Sequence, residues 1–186
     1  MCTLEDVHST FNFYMRQVLI ALVSRIIRMS TKPWGPALWK MLHGIAETLG
    51  NQSVAMLATD EAHEIVFLLR DVEKIMPCQL CRNHYKVWRK DHPLEELDKL
   101  RGYMLKTAVR QWLFDLHEDV NRTRGIESGL TVDNMEEMYK QTDLKEAWAD
   151  FFTKVKVTTE VGLVSQTVLQ NFHRRFGMLR KLVGKY

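Results

Sequence analysis

The chain has 186 residues, of which 46% are hydrophobic and 26% charged, and its formal net charge is +3. This length suits one domain, alone or with extensions, and the composition is typical of globular proteins rather than disordered ones. The charge is too small to indicate nucleic-acid binding. Three cysteines are too few for a disulfide scaffold. Four prolines and nine glycines leave long uninterrupted stretches, so we expect an all-α fold.

The first thirty residues predict an amphipathic helix. Apolar residues recur at helical spacing over residues 8–29, with polar and basic residues on the opposite side. Its apolar run is too short to span a membrane and no convincing cleavage site follows, so we expect neither a transmembrane segment nor a signal peptide. Docking on its own domain or on a dimer mate is favoured over a membrane surface. Cys2 precedes this helix and has no nearby cysteine to pair with.

Four further helices with short connections are predicted in the middle of the chain, an arrangement typical of a helical bundle. Gly50 is expected to end the first of them, and Gly125 is the candidate stop after the last. The predicted helices cover residues 34–49, a stretch from residue 51 or 53 to 75, residues 78–90, and a stretch from residue 94 or 97 to 121.

The remainder of the chain predicts a helical extension. Short helices are expected at residues 132–139 and 144–152, whereas residues 154–159 alternate valine with polar residues and predict a short strand or an extended linker. The last stretch is a basic amphipathic helix with no acidic residue after Glu160. Such a helix binds an acidic partner or membrane, or docks with its basic face in water, and the second is favoured. The expected domains are residues 1–30, residues 31–130 and residues 131–186.

Cys78 and Cys81 stand three positions apart, directly after Pro77, at the start of a predicted helix. They can close a small disulfide across the first turn, and the partial positive charge of a helix N-terminus lowers the pKa of a thiol placed there. In a reducing compartment such a pair is more often catalytic or metal-binding than structural. The pair is therefore the leading candidate for a reactive site.

Aromatic and hydrogen-bonding side chains accompany this pair on other predicted helices. Trp39 and His43 are four apart and share a helix face, and His117 and Asn121 do the same on a later helix. Each of them alone is more often an ordinary core residue. Together with Tyr85, they describe a pocket with flat aromatic walls beside a redox-active dithiol.

In order and roughly in spacing, these residues resemble the FAD-dependent sulfhydryl oxidases of the Erv/ALR type. The resemblance covers about residues 31–130. It implies a four-helix bundle core with a short fifth helix, which holds FAD and is usually a homodimer. The matching motifs are Trp39-x-x-x-His43, Pro77-Cys78-x-x-Cys81, Tyr85, His92-Pro93 and Trp112-Leu113-x-x-Leu116-His117-x-x-Val120-Asn121.

Members of this family occur in the mitochondrial intermembrane space and in large DNA viruses. The resemblance therefore leaves the compartment open. A cellular member would be expected in the intermembrane space, and a viral member in the host cytoplasm, the nucleus or the virion.

The resemblance also implies roles for individual residues. Cys78 would exchange disulfides with the substrate, and Cys81 would lie next to the flavin. A protein dithiol, directly or through a thioredoxin-like relay, would reduce this disulfide, and the electrons would pass through FAD to oxygen and yield hydrogen peroxide. No resident metal ion is expected. The implied cofactor-binding residues are Gly35, Trp39, His43, Tyr85, His117, Val120, Asn121 and Arg124.

Two positions depart from the family pattern. Glu118 stands where the family usually carries Asn, and Ile126 stands where it commonly carries Lys. Arg122 or Arg124 would then supply the positive charge for the cofactor pyrophosphate.

Alternative functions stay open. Cys78, Cys81, His84 and His92 can offer two sulfurs and two nitrogens to zinc in a structural or interaction module, although their spacing differs from the common zinc finger. A helical scaffold protein that keeps the bundle but has lost catalysis is another alternative, which the two departures leave open. A thioredoxin-like oxidoreductase is disfavoured, because helices rather than strands flank the cysteines.

Overall fold

The computed structural model describes Met15 and residues 33–184. Apart from Met15, the predicted N-terminal helix at residues 8–29 lies outside the described residues, as does Cys2. The described part is helical throughout and contains no strand, which confirms the all-α prediction. None of its helices is long and apolar enough to cross a membrane. The elements are α1 (Trp34–Thr48), α2 (Ala55–Ile75), α3 (Gln79–Asp91), a 3₁₀ helix (Leu97–Lys99), α4 (Gly102–Thr123), α5 (Val132–Tyr139), α6 (Leu144–Glu160) and α7 (Gln166–Leu182).

Gly50 ends the first helix, as predicted, and its conformation is one that other residues rarely adopt. Its φ is +82°. Its N–H donates to both carboxylate oxygens of the buried Glu61, at 3.1 and 3.2 Å. A Cβ at this position would lie 2.5 Å from the carbonyl oxygen of Gly102. A glycine here therefore lets the end of α1 meet the beginning of α4.

The fourth predicted helix begins later than expected. A 3₁₀ turn at Leu97–Lys99 is followed by extended backbone at Arg101, so α4 starts only at Gly102. Its end agrees with the prediction: Gly125 has a φ of +66°, and the N–H of Ile126 donates to the carbonyl oxygen of Asn121 at 2.9 Å.

The prediction of a strand or linker at residues 154–159 is wrong, because α6 continues as a helix to Glu160. The alternation of valine with polar residues suggested the two-residue period of a strand. In the structure Phe151, Val155 and Thr158 are buried on one face at helical spacing, whereas Val157 is 44% exposed. Packing against α1 therefore decides the local structure here.

The helices share one hydrophobic core. The last two helices cover the first two, since α6 packs on α1 and α7 packs on α2. Among the largest fully buried side chains are Phe151 of α6 and Phe172 and Phe176 of α7. Residues of the predicted C-terminal extension thus contribute directly to the core, and the boundary at residue 131 stays a prediction.

Candidate redox and cofactor site

Cys78 and Cys81 are joined by a disulfide at the beginning of α3, with their Cα atoms 5.2 Å apart. Cys78 is the residue before the helix, and its Sγ accepts a hydrogen bond from the backbone N–H of Cys81 at 3.2 Å. Cys78 is buried, Cys81 is half-buried, and Leu80 between them is 80% exposed. On reduction, the positive end of the α3 dipole would favour a thiolate at this position.

Arg82 fixes the surroundings of the disulfide. Its Nη2 donates to the carbonyl oxygen of Leu163 at 2.5 Å, and its Nε donates to the carbonyl oxygen of Met76. Met76 directly precedes Pro77, and Leu163 lies in the connection between α6 and α7. One side chain therefore joins the beginning of α3 to the C-terminal helices.

An aromatic layer joins α3 to α4 along the helix that begins at the disulfide. Trp88 stacks on His92 with ring centroids 3.8 Å apart, and its ring meets Trp112 of α4 edge to face at 4.8 Å. The indole N–H of Trp112 donates to the carbonyl oxygen of His92 at 3.2 Å.

Tyr85 is buried in the core, and its hydroxyl donates to the carbonyl oxygen of Leu69 at 2.6 Å. Burial raises the pKa of Tyr85.

A cavity of about 520 Å³ lies between α3 and α4, within the size range of small-molecule sites. His84 follows Cys81 by one helical turn and lines this cavity. Its Nε2 contacts a carboxylate oxygen of Asp119 at 2.7 Å. Burial favours a higher pKa for the Asp119 carboxyl, but hydrogen bonds from Arg122 and His84 outweigh it and lower that pKa. The cavity is lined by His84, Val87, Trp88, Asp91, His92, Asp115, Glu118, Asp119 and Arg122.

The structure brings together three of the predicted cofactor-binding rings. Trp39 stacks on His117 with centroids 4.0 Å apart, and Nε2 of His43 lies 3.2 Å from Nδ1 of His117, a hydrogen-bond distance. A fourth ring, Tyr139 at the end of α5, stacks on His43 at 4.8 Å. The sequence analysis missed Tyr139, because no spacing along the chain relates it to a face of α1. The four rings are called the aromatic cluster below.

Both histidines of the aromatic cluster favour the neutral form. Burial, with a smaller effect of His117, lowers the pKa of His43 to about 3. Burial also lowers the pKa of His117, while Glu118 opposes this shift and Arg124 adds to it. Near pH 7 one imidazole therefore donates and the other accepts the hydrogen bond between them. Neutral, flat, half-buried rings, here those of Trp39 and His117, suit the stacking of an uncharged heteroaromatic ring.

The remaining predicted binding residues differ in their environments. The side-chain amide of Asn121 donates to Oε1 of Glu118 at 3.0 Å. Glu118, which departs from the family pattern, therefore holds the side chain of a predicted cofactor-binding residue. Arg124 is exposed at the end of α4, and Val120 is half-buried against the core. No atom lies within 4 Å of the place where a Cβ would stand at Gly35.

The four residues of the zinc alternative do not form a metal site. The disulfide occupies both sulfurs, His84 pairs with Asp119, and Nδ1 of His92 donates to the carbonyl oxygen of Trp88 at 2.9 Å. Among the residues that the structure describes, no group of three or more acidic, histidine or cysteine side chains could hold a metal ion.

An all-helical fold, a disulfide across the first turn of a helix and a cluster of stacked aromatic rings define the class of protein to which this chain is compared. A family model described as the Erv1 / Alr family matches residues 36–149, more than half of the chain. The chain therefore belongs to the Erv1 / Alr family of flavin-linked sulfhydryl oxidases. The match includes both cysteines of the disulfide and all four rings of the aromatic cluster. No curated protein and no solved structure matches the chain significantly.

Proposed function

We propose that this chain is a FAD-linked thiol oxidase, which forms disulfide bonds in protein substrates and passes the electrons to oxygen with release of hydrogen peroxide. The observation that carries the proposal is the Cys78–Cys81 disulfide at the beginning of α3, one helical turn from a cavity large enough for a ligand. Membership of a sulfhydryl oxidase family supports the same chemistry.

The first half of the reaction needs only the disulfide and a substrate with two thiols. A substrate thiolate attacks Cys78, the bond between Cys78 and Cys81 breaks, and the α3 N-terminus stabilises the thiolate that leaves on Cys81. The second substrate thiol then displaces Cys78. The substrate departs with a new disulfide, and the chain keeps two thiols, which hold the two electrons and two protons. Cys78 is buried, so a substrate must displace part of its cover.

The described residues fit a flavin nucleotide. FAD, when bound, takes up two electrons from a neighbouring thiolate and delivers them to oxygen. The half-buried rings of Trp39 and His117 are suited to stacking, and the guanidinium of the exposed Arg124 suits the pyrophosphate. His84 lies one turn from Cys81, where it can stabilise a thiolate, and its contact with Asp119 orients its ring.

Protein dithiols, or a thioredoxin-like relay protein, are the proposed electron donors. Leu80 exposes an apolar side chain between the two cysteines, which offers a contact for the chain segment around a substrate dithiol. A homodimeric state belongs to the same proposal, and sedimentation equilibrium of the full chain tests it.

The visible spectrum and oxygen consumption of the full chain test the proposal. We expect flavin absorbance in the purified protein and oxygen uptake with a small dithiol, both retained in the control variant Cys2→Ser. Cys81→Ser should keep the flavin and lose turnover. Loss of the flavin in Cys81→Ser would assign the pair a role in folding instead.

Results for the wild type decide between the alternatives. A colourless protein with stoichiometric zinc would replace the oxidase proposal with the metal-binding module. Bound flavin without oxygen uptake from any dithiol, or neither flavin nor zinc, would leave the inactive scaffold.

A further inference from the structure

Tyr139 lies outside the motif that the sequence analysis connected with the cofactor, yet it contacts that motif directly. Its ring stacks on His43 with an interplanar angle of 15°. His43 contacts His117 through the hydrogen bond between their ring nitrogens, and His117 stacks on Trp39. Tyr139 thus brings α5 into contact, through His43, with the other three rings of the aromatic cluster.

Arg110 of α4 fastens α5 beside His43. Its Nη1 pairs with Glu136 at 3.0 Å, and its Nη2 donates to the carbonyl oxygen of Val132 at 3.3 Å. Its Nε pairs at 2.9 Å with Glu47, which is buried on α1 one turn after His43. A single guanidinium therefore connects the helix that carries Tyr139 with the helix that carries His43.

The segment after Tyr139 also approaches α1 more closely than a side chain would permit. A Cβ at Gly44 would lie 2.7 Å from Cγ2 and 2.9 Å from Cβ of Thr142. Gly44 directly follows His43 in the sequence. The absence of a side chain at position 44 therefore allows the chain beyond α5 to pack where it brings Tyr139 against the imidazole.

We propose that Tyr139 is a positioning residue of the proposed cofactor site. Its ring holds the plane of the His43 imidazole, and through it the hydrogen bond between His43 and His117, so that the aromatic cluster is ordered before the cofactor arrives. Preorganised groups bind more tightly because they lose less freedom on binding. The inference deepens the proposed function and depends on it for the identity of the ligand, but not for the effect of Tyr139 on the two histidines.

Two substitutions separate the ring from the hydroxyl, and a neighbour on the same helix serves as control. Tyr139→Phe keeps the ring, Tyr139→Leu removes it, and Met138→Leu changes a side chain that is 56% exposed. The first readout is the dissociation constant of added FAD for the full chain after removal of bound cofactor. Tyr139→Leu should weaken binding roughly fivefold or more. Tyr139→Phe and Met138→Leu should stay within about twofold of the wild type.

The second readout needs no cofactor. Nitrogen NMR of the histidine rings in the cofactor-stripped full chain reports the tautomers and the hydrogen bond of His43 and His117. We expect one defined pair of tautomers in the wild type, Tyr139→Phe and Met138→Leu, and exchange between tautomers in Tyr139→Leu. A merely structural role of Tyr139 would leave these ring signals in place as long as the variant stays folded.

A milder variant keeps the inference testable if Tyr139→Leu fails to fold. Glu136→Gln weakens the ion pair with Arg110 at a partly exposed position and should shift both readouts in the same direction by a smaller amount. Unchanged FAD affinity and unchanged ring signals in a folded Tyr139→Leu or Glu136→Gln would overturn the inference. A wild type that binds no FAD would overturn the proposed function alone, because the ring signals would still report on Tyr139.

Discussion

Acid should destabilise this protein through His43. The imidazole is 2% exposed, and burial lowers its pKa from 6.5 to about 3. The unfolded chain therefore binds a proton at His43 below about pH 6.5, whereas the folded chain does not until about pH 3. The stability that buried, neutral His43 contributes is therefore fully present above about pH 6.5, and it is lost as the pH falls from there towards about 3. The variant His43→Gln removes the titration and keeps a side chain that can hydrogen-bond to His117.

The size of the effect follows from the two pKa values. A histidine whose pKa falls from 6.5 to about 3 on folding loses about 2 kcal/mol of stability between pH 7 and pH 5. Other groups titrate in the same interval, so the quantity of interest is the difference between wild type and variant. His43→Gln should be less stable than the wild type at pH 7, and this gap should narrow by about 2 kcal/mol at pH 5.

Urea unfolding of the cofactor-stripped chain, followed by circular dichroism at several pH values, measures this difference. His173→Gln is the matched control for the loss of a histidine, since it removes an exposed side chain of α7, and its stability is measured at the same pH values. If the profile of His43→Gln runs parallel to that of the wild type between pH 7 and pH 5, His43 is not buried in its neutral form. The interpretation of the aromatic cluster as a pair of neutral imidazoles would then be wrong.

Two further substitutions test the fold. Gly50→Ala should lower the free energy of unfolding by about 1–3 kcal/mol, because a positive φ and a clash with backbone coincide there. Gly129→Ala, with a positive φ but open space, should cost less, and equal losses would contradict this account. Phe151→Ala should cost about 3–5 kcal/mol in denaturant titration if the C-terminal helices belong to the core. A loss no larger than that of the exposed Phe67→Ala would contradict it.

Much of the fold could be predicted because the helices in the middle of the chain have strong local signals. Periodic apolar residues predicted that these helices exist, and Gly50 and Gly125 predicted where two of them end. The prediction failed where local pattern and packing disagree. Residues 154–159 alternate in polarity like a strand, but the contacts of Val155 and Thr158 with the core need a helix.

The candidate site could be predicted to the extent that helical spacing controls it. Because residues four apart share a helix face, Trp39 and His43 were expected on one side of a helix, and the structure places them together with His117. The contact of Tyr139 with His43 could not be found in this way. It depends on how α5 docks on α1, which is a property of the folded chain.

The way in which α3 is held explains why a cavity lies between α3 and α4. Tyr85 and Trp88 are the buried residues of this helix, whereas α1 and α2 bury residues along their whole length. Separate polar contacts add to this attachment: Arg82 donates to two carbonyl oxygens, His84 contacts Asp119, and Trp112 donates to the carbonyl oxygen of His92. A helix held at separate points leaves space between them. The core of α1, α2, α6 and α7 stabilises the fold despite this space. The cavity therefore lies where the close packing of the bundle ends, one turn along α3 from the disulfide.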